Sequence, residues 1–188
     1  MNKIVSTIAL SVMIACALPG MAQQAKKAAS TGGNSPHETT SVVVDSDRVT
    51  ISYGRPFSKN PRTGEVRKIW GGLVPNGQAW RLGSDEATTL ITQKPLKIGT
   101  ADVPAGAYTL YLVPDENGAK LAISTAIGQW GIPVDEKHDL ARVDTTKSAV
   151  DATVDQLTIA LAKNPGGGGL IKITWENTQF AIPFTVVK

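Results

Sequence analysis

The sequence predicts an all-β protein: a single antiparallel β-sandwich, jelly-roll or immunoglobulin-like, with a long ordered loop between early strands. Apolar and polar residues alternate with a period of two along many short segments, as in strands with one buried face. Glycine, proline, asparagine and aspartate separate these segments, and no segment has the spacing of a long helix. About nine to eleven short strands are expected, which fits a sandwich.

The N-terminal residues 1–22 have the pattern of an export signal. Lys3 precedes an uncharged apolar run from Ile4 to Leu18, and small residues follow. The run is shorter than the roughly 20 residues that a membrane span requires. We expect cleavage after residue 22 and a periplasmic or secreted protein. The alternative is a lipid-anchored form through Cys16, whose preceding residues resemble a lipoprotein cleavage box.

Residues 23–38 are small and polar without hydrophobic periodicity, which predicts a disordered tether. Residues 39–188 then form one domain of common size. The single cysteine leaves with the leader, so the domain has no disulfide and depends on its core. The net charge of +3, lowered by one when Lys3 is removed, gives no case for nucleic-acid or membrane binding. Nothing in the sequence indicates a cofactor or an oligomeric state.

The pattern in the first half of the domain predicts a succession of strands. Residues 40–53 predict a hairpin with a turn at 45–47, because β-branched and alternating residues flank a polar break. Further strands are expected at 87–92 and 95–98. Residues 102–114 place alternate large side chains on the two faces of a strand.

The second half predicts a turn, its partner strand and a final meander. Residues 115–118 favour a hairpin turn rather than a calcium loop, which would need further oxygen ligands. Residues 133–140 predict a single helical turn, and another strand begins at 142–145. The meander comprises strands at 157–161, 171–175 and 180–186, separated by a glycine loop at 164–169 and a turn at 177–178.

The stretch from 55 to 89 has the most unusual composition. Glycine and proline punctuate it too often for a helix, and it contains two tryptophans, six basic residues and three acidic ones. Two interpretations are open. The aromatic and arginine side chains are buried and anchor the loop, or they line a pocket. The local positive excess of this stretch suits an anionic ligand, but a solvated loop is the preferred explanation of that charge.

Two functional hypotheses follow. The first is a non-catalytic module that binds a small or glycan-like ligand, and the sequence favours it. The alternative is a hydrolase that uses Asp85 or Glu86 as an acid or base with Arg81 as an anion clamp. With only two histidines, of which His37 lies in the tether, a metal site or triad has little basis. The candidate site residues are Arg55, Trp70, Trp80, Arg81, Glu86 and Trp130.

The turn at 81–86 carries a specific structural prediction. Gly83 permits a positive φ, which lets Arg81 and Glu86 face each other across the turn. We predict that this pair is buried and structural, so that Glu86→Gln destabilises the protein by several kcal/mol.

Several motifs carry a resemblance to a known family. They are ISYGRP at 51–56, RKIWGGLVPNGQAWRLGSDEATTL at 67–90, VPAGAYTLYLVP at 103–114, GQWG at 128–131 and ITWENTQFAIPF at 173–184. Together they resemble the DUF2911 family, bacterial exported domains of unknown function. The resemblance implies an exported β-rich domain and carries over no catalytic residue. The insert FSKNPRTGEV at 57–66 is longer than the family pattern and affects the mouth of any pocket.

Overall fold

The computed structural model describes residues 35–187, so the predicted leader, Cys16 and nearly all of the tether lie outside it. The described part contains ten β-strands and one 3₁₀ helix, Glu136–His138, where a helical turn was predicted. Within residues 35–187, no helix has the length and apolar character needed to span a membrane.

The strands follow one another along the whole domain. Their bounds are β1 (His37–Val44), β2 (Asp47–Gly54), β3 (Thr89–Thr92), β4 (Leu96–Ile98), β5 (Ala101–Val103), β6 (Gly106–Pro114), β7 (Ala119–Ser124), β8 (Asp139–Asp144), β9 (Thr146–Lys163) and β10 (Gly169–Val186).

Two antiparallel sheets make up the fold. The first has six strands in the order β1-β2-β3-β6-β7-β8, and the second has four in the order β5-β4-β10-β9. Every pair of neighbouring strands is antiparallel. The predicted antiparallel β-sandwich is therefore confirmed, as is the expected number of strands.

The core lies between the sheets and is built from the alternation read in the sequence. Ile51 and Leu110 from the six-stranded sheet belong to the same buried cluster as Ile173 and Phe184 from the four-stranded sheet. Each of these side chains is at most 1% exposed. Complete burial of such a side chain contributes about 1.5–3 kcal/mol to stability, and this core contains no disulfide.

The first hairpin forms as predicted but includes more of the chain. Asp45 and Ser46 have φ of 47° and 62°, the two positive values that a type I′ turn requires between right-twisted strands. Strand β1 already begins at His37, which pairs with Gly54, and Glu38 pairs with Tyr53. Both residues, assigned to the tether from sequence, therefore belong to the sheet.

The predicted three-strand meander at the C-terminus is wrong, because β9 and β10 are two strands of 18 residues each. The glycine loop joins them as a hairpin, as expected. No turn forms at 177–178. Instead Glu176 has a φ of 53°, and the register with β9 shifts on both sides of it. A bulge of this kind bends a strand without ending its pairing.

Candidate functional site

The long loop between β2 and β3 is held to both sheets by backbone pairing. Ser58 donates its amide to the Asp155 carbonyl of β9 at 2.6 Å. At the other end, the amide of Trp80 donates to the Leu112 carbonyl of β6, and the Leu112 amide donates to the Trp80 carbonyl, both at 2.8 Å. Paired backbone groups order a loop in the way strand ladders order a sheet, so the path of its backbone is fixed.

Arg55 has a structural position. Its Nε donates to the Leu157 carbonyl at 3.0 Å, one Nη donates to Thr158 Oγ1 at 3.1 Å, and the other lies 2.5 Å from a carboxylate oxygen of Glu38. The guanidinium thus joins β1 to β9 across the edge of the sandwich. Arg55 was a candidate binding residue, but the structure places it outside the cleft described below.

The tryptophans of the loop pack in one aromatic cluster. The ring of Trp70 meets those of Trp80, Trp175 and Phe180 edge-on, at centroid distances of 6.1, 6.3 and 5.2 Å. Trp80 stacks on Trp175 at 5.7 Å with an interplanar angle of 20°. Aromatic pairs in such geometries contribute about 0.5–1.5 kcal/mol each beyond their buried area. The cluster therefore fixes the loop on the four-stranded sheet.

Two indole N–H groups of the cluster donate hydrogen bonds inside the protein. Trp70 Nε1 donates to the Trp175 carbonyl at 3.4 Å, and Trp175 Nε1 donates to the Asp155 carbonyl at 3.2 Å. Trp175 is fully buried. Trp70, a candidate binding residue, is partly buried against the core and does not line the cleft described below, whereas Trp80, equally partly buried, does line it.

Beside this cluster the loop encloses a cleft of about 470 Å³. Its apolar lining includes Phe57, Leu73, Trp80 and Ile132 with two prolines, and the cleft borders the buried ring of Trp175. Its polar side chains are Asn60, Arg62, Arg67, Arg81 and Ser84, with Ser35 at the edge of the described chain. Ligand pockets of about 300–1,000 Å³ with an apolar lining and a few polar groups are the usual form of small-molecule sites.

The three arginines of the cleft have no acidic partner. Among residues 35–187, no carboxylate oxygen lies within 4.0 Å of a guanidinium nitrogen of Arg62, Arg67 or Arg81. Arg67 donates to the carbonyls of Ser58, at 3.3 Å, and Phe57. A guanidinium has five donors, so most of them remain available at each arginine.

Arg81 lies at the rim of the cleft against Trp130. Its guanidinium carbon is 5.2 Å from the Trp130 ring centroid, and one Nη donates to the Trp130 carbonyl at 3.2 Å. Burial lowers the pKa of Arg81, and the charges of Asp85 and Glu86 act against that shift. Trp130, 46% exposed, supports Arg81 rather than lining the cleft itself.

The turn at 81–86 differs from the prediction. Leu82 and Asp85 take the positive φ values, 56° and 65°, instead of Gly83. Gly83 is required for another reason, since a Cβ there would lie 2.9 Å from the Gly54 carbonyl oxygen. The turn is therefore pressed against the end of β2, and this close approach sets its shape.

The predicted Arg81–Glu86 ion pair is wrong. Glu86 Oε2 lies 2.8 Å from His37 Nε2, and Arg81 turns to Trp130. The Glu86 side chain is 52% exposed rather than buried. Its own backbone amide, followed by His37, lowers the pKa of Glu86. The pairing was missed because His37 was assigned to the tether, whereas β1 places it beside the turn.

Asp85 is the more buried acid of the turn. Its Oδ2 is 3.9 Å from His37 Nε2, and within the described chain this oxygen is buried without a hydrogen-bond partner. Neither Asp85 nor Glu86 lines the cleft. No group of three or more His, Cys, Asp or Glu side chains that could hold a metal ion occurs in residues 35–187.

Of the candidate site residues only Trp80 and Arg81 line the cleft, and sequence reasoning missed the rest of its lining, including four residues with large side chains. Phe57 and Arg62 lie in the insert that was expected to affect a pocket mouth, and they do line the cleft. Arg67 was noted only as part of the basic excess. Trp175 comes from β10, and its approach to the loop follows from the sheet topology, which no local pattern in the sequence encodes.

Fold and cleft together define an antiparallel β-sandwich with an arginine-lined cleft at a long loop. The chain belongs to the DUF2911 family, whose model, described as a protein of unknown function, matches residues 35–184. The resemblance read from the sequence motifs is thereby confirmed. No curated protein and no solved structure matches the chain.

Proposed function

We propose that this protein is a non-catalytic binding module that holds a small ligand in the cleft formed by the β2–β3 loop. One observation carries the proposal: a cleft of about 470 Å³ joins an aromatic floor to three arginines that have no acidic partner in the described chain. A floor anchored by stacked tryptophans is preorganised, which reduces the cost of ordering on binding.

The cleft supports binding better than the hydrolase alternative. General acid–base catalysis needs a titratable group within hydrogen-bond reach of the substrate. None of the residues that line the cleft in the described chain is Asp, Glu, His or Cys. Asp85 and Glu86, the acids of that alternative, face His37 instead.

The N-terminal pattern supports an exported protein. We infer that residues 1–22 direct export to the periplasm or the exterior, with lipid attachment at Cys16 as the alternative. Mass spectrometry of the protein recovered from its producing cells tests this inference. A mature N-terminus at residue 23 supports the first route, a lipidated Cys16 supports the second, and an uncleaved chain contradicts both.

Tryptophan fluorescence tests the binding proposal directly. Trp80 lines the cleft, whereas Trp130 is exposed beside it, so Trp80→Phe and Trp130→Phe form a matched pair. Titration with sugars, peptides and organic anions should change the wild-type emission for at least one class. Trp80→Phe should lose most of that change, whereas Trp130→Phe should keep the larger part of it, because the Trp130 carbonyl that holds Arg81 is retained and phenylalanine still offers a ring. Wild-type emission that stays constant across all three classes contradicts the proposal.

A further inference from the structure

We infer that the cleft recognises an organic oxyanion, a carboxylate or phosphate group on an apolar or planar body, rather than a neutral glycan. This inference rests on the proposed function and assigns the ligand class. It comes from a comparison of the arginines that have an acidic partner with the arginines of the cleft, which have none in the described chain.

Two of the three arginines outside the cleft in residues 35–187 are matched by acids, and the third, Arg48, is exposed on β2. Arg55 pairs with Glu38, and Arg142 pairs with Glu136 and with Asp139 at 2.7 Å. These pairs show how the fold neutralises a guanidinium that has only a structural role. The cleft arginines lack this neutralisation within residues 35–187, although Arg67 and Arg81 are partly buried.

The free donors of the cleft point to a planar anion. Arg81 uses one guanidinium donor on the Trp130 carbonyl, and Arg67 uses donors on two loop carbonyls. The side chain of Arg62 makes no hydrogen bond to the described residues. The planar fork of a guanidinium matches a carboxylate or phosphate, and such charge-assisted hydrogen bonds are about twice as strong as neutral ones.

The aromatic groups favour an apolar body over a sugar. A sugar ring packs on an open aromatic face, but Trp175 stacks on one face of Trp80, and the Trp70 ring packs against Trp80 at an interplanar angle of 85°. Trp175 itself is fully buried. One face of Trp130 is occupied by Arg81. The side chains that remain beside the arginines include Phe57 and Ile132, which suit an aromatic or aliphatic group.

The electrostatics of the cleft agree with this class. With three guanidinium groups and no carboxylate in its described lining, the cleft carries a single sign of charge. Partly enclosed walls of low dielectric strengthen the attraction for an anion, and this attraction is screened by salt. A neutral ligand would gain less from this charge, because only one partner of each hydrogen bond would be ionised.

Calorimetric titration of the purified protein with four probes tests the inference. Phenyl phosphate and benzoate distinguish the two oxyanion chemistries, inorganic phosphate lacks the apolar body, and phenyl β-glucoside replaces the anion with a neutral sugar. We expect one or both aromatic oxyanions to bind at least about tenfold more tightly than the glucoside and inorganic phosphate. Their affinity should fall as sodium chloride is raised from 50 to 500 mM.

Arginine variants connect that binding to the cleft. Arg62→Gln should weaken the preferred oxyanion about tenfold, as loss of a hydrogen bond to a charged group does, and Arg81→Gln should act similarly. Arg48→Gln is the matched control because Arg48 is exposed on β2 and does not line the cleft. Its affinity should equal that of the wild type. Circular dichroism of each variant confirms the fold.

The outcomes separate this inference from the proposed function. Tight binding of phenyl β-glucoside that Trp80→Phe removes, without preference for an oxyanion, overturns the ligand class and leaves the binding cleft in place. An equal loss of oxyanion affinity in Arg62→Gln, Arg81→Gln and Arg48→Gln also overturns the assigned ligand class. Such a result would show that binding depends on the overall charge of the protein and not on the cleft arginines. If none of the four probes binds at millimolar concentration, the oxyanion inference is contradicted. The fluorescence titrations then show whether the cleft binds any other ligand.

Discussion

Arg55 and Arg62 lie in the same loop between β2 and β3, yet their side chains have different hydrogen-bond partners. Arg55 bonds to a carboxylate, a hydroxyl and a carbonyl, and it joins two strands. Arg62 is an exposed residue of the cleft lining and makes no side-chain hydrogen bond to the described residues. An arginine whose three nitrogens all bond within the protein contributes to stability, whereas one whose donors remain available is suited to binding. The same residue type therefore serves two purposes within one segment.

The tryptophans give the largest test of that division. Trp175 is completely buried, whereas Trp130 is 46% exposed. Trp175→Ala should lower the free energy of unfolding by about 3–5 kcal/mol, because it removes a large core side chain and leaves a cavity. Trp130→Ala should cost about 1 kcal/mol or less. Urea denaturation of the two variants and the wild type measures both free energies of unfolding. Similar losses in the two variants would contradict the assignment of Trp175 to the core and of Trp130 to the cleft rim.

The arginines give the next largest effect. Arg55→Gln should cost about 1.5–3 kcal/mol, because it breaks a charged hydrogen-bond network and leaves Glu38 without its partner. Arg62→Gln should change stability by less than about 0.5 kcal/mol. Thermal unfolding compares them directly. If Arg62→Gln proves as costly as Arg55→Gln, the cleft arginines are structural too.

Tyr53, a buried residue outside the cleft, makes the stability of the fold depend on pH. Its hydroxyl accepts from the Ile159 amide at 2.8 Å and donates to the Ile159 carbonyl at 3.3 Å. Burial raises the pKa of Tyr53 above its ordinary 10.0. The folded state therefore holds this proton more tightly than the unfolded state does. Stability from this group is complete below pH 10 and is lost as pH rises towards the folded-state pKa.

Tyr53→Phe tests both parts of this account. At pH 7 the variant should lose about 1–2 kcal/mol, since the Ile159 amide is left without its partner. Above pH 10 the difference from the wild type should shrink, because the variant has no phenol to ionise at this position. Urea denaturation at pH 7 and at pH 10.5 measures the two differences. A constant difference across this range would contradict the assignment.

Glu86 gives the smallest expected effect. Because its side chain is about half exposed, Glu86→Gln should change stability by less than about 0.5 kcal/mol at pH 7, not by the several kcal/mol expected of a buried pair. The pKa of Glu86 is lowered from 4.5, so its contribution is present above that pH and is lost as pH falls below it. Thermal unfolding at pH 7 and pH 3.5 should show the difference narrowing in acid. A large loss at pH 7 would restore the structural assignment.

The sequence was sufficient for the sandwich but not for the cleft. Alternation along β2 and β6 and the positive-φ turn at 45–46 are local signals, and local signals predict strands and hairpins well. The cleft joins Phe57 and Arg81 to Trp175, which is distant in sequence, and only the pairing of β9 with β10 brings it there. The assignment of Glu86 to Arg81 failed for a similar reason, since its partner His37 lies on another strand.

The position of a bound oxyanion tests the central claim most directly. The chain has four tryptophans, so a nitrogen–proton NMR spectrum contains four indole signals. Assignment by Trp→Phe variants identifies each signal. During titration with phenyl phosphate, we predict the largest shift at Trp80 in the cleft, and Arg62→Gln should reduce it about tenfold at subsaturating ligand. A shift confined to Trp130, or one that Arg62→Gln leaves unchanged, would contradict the assignment of the cleft as the binding site.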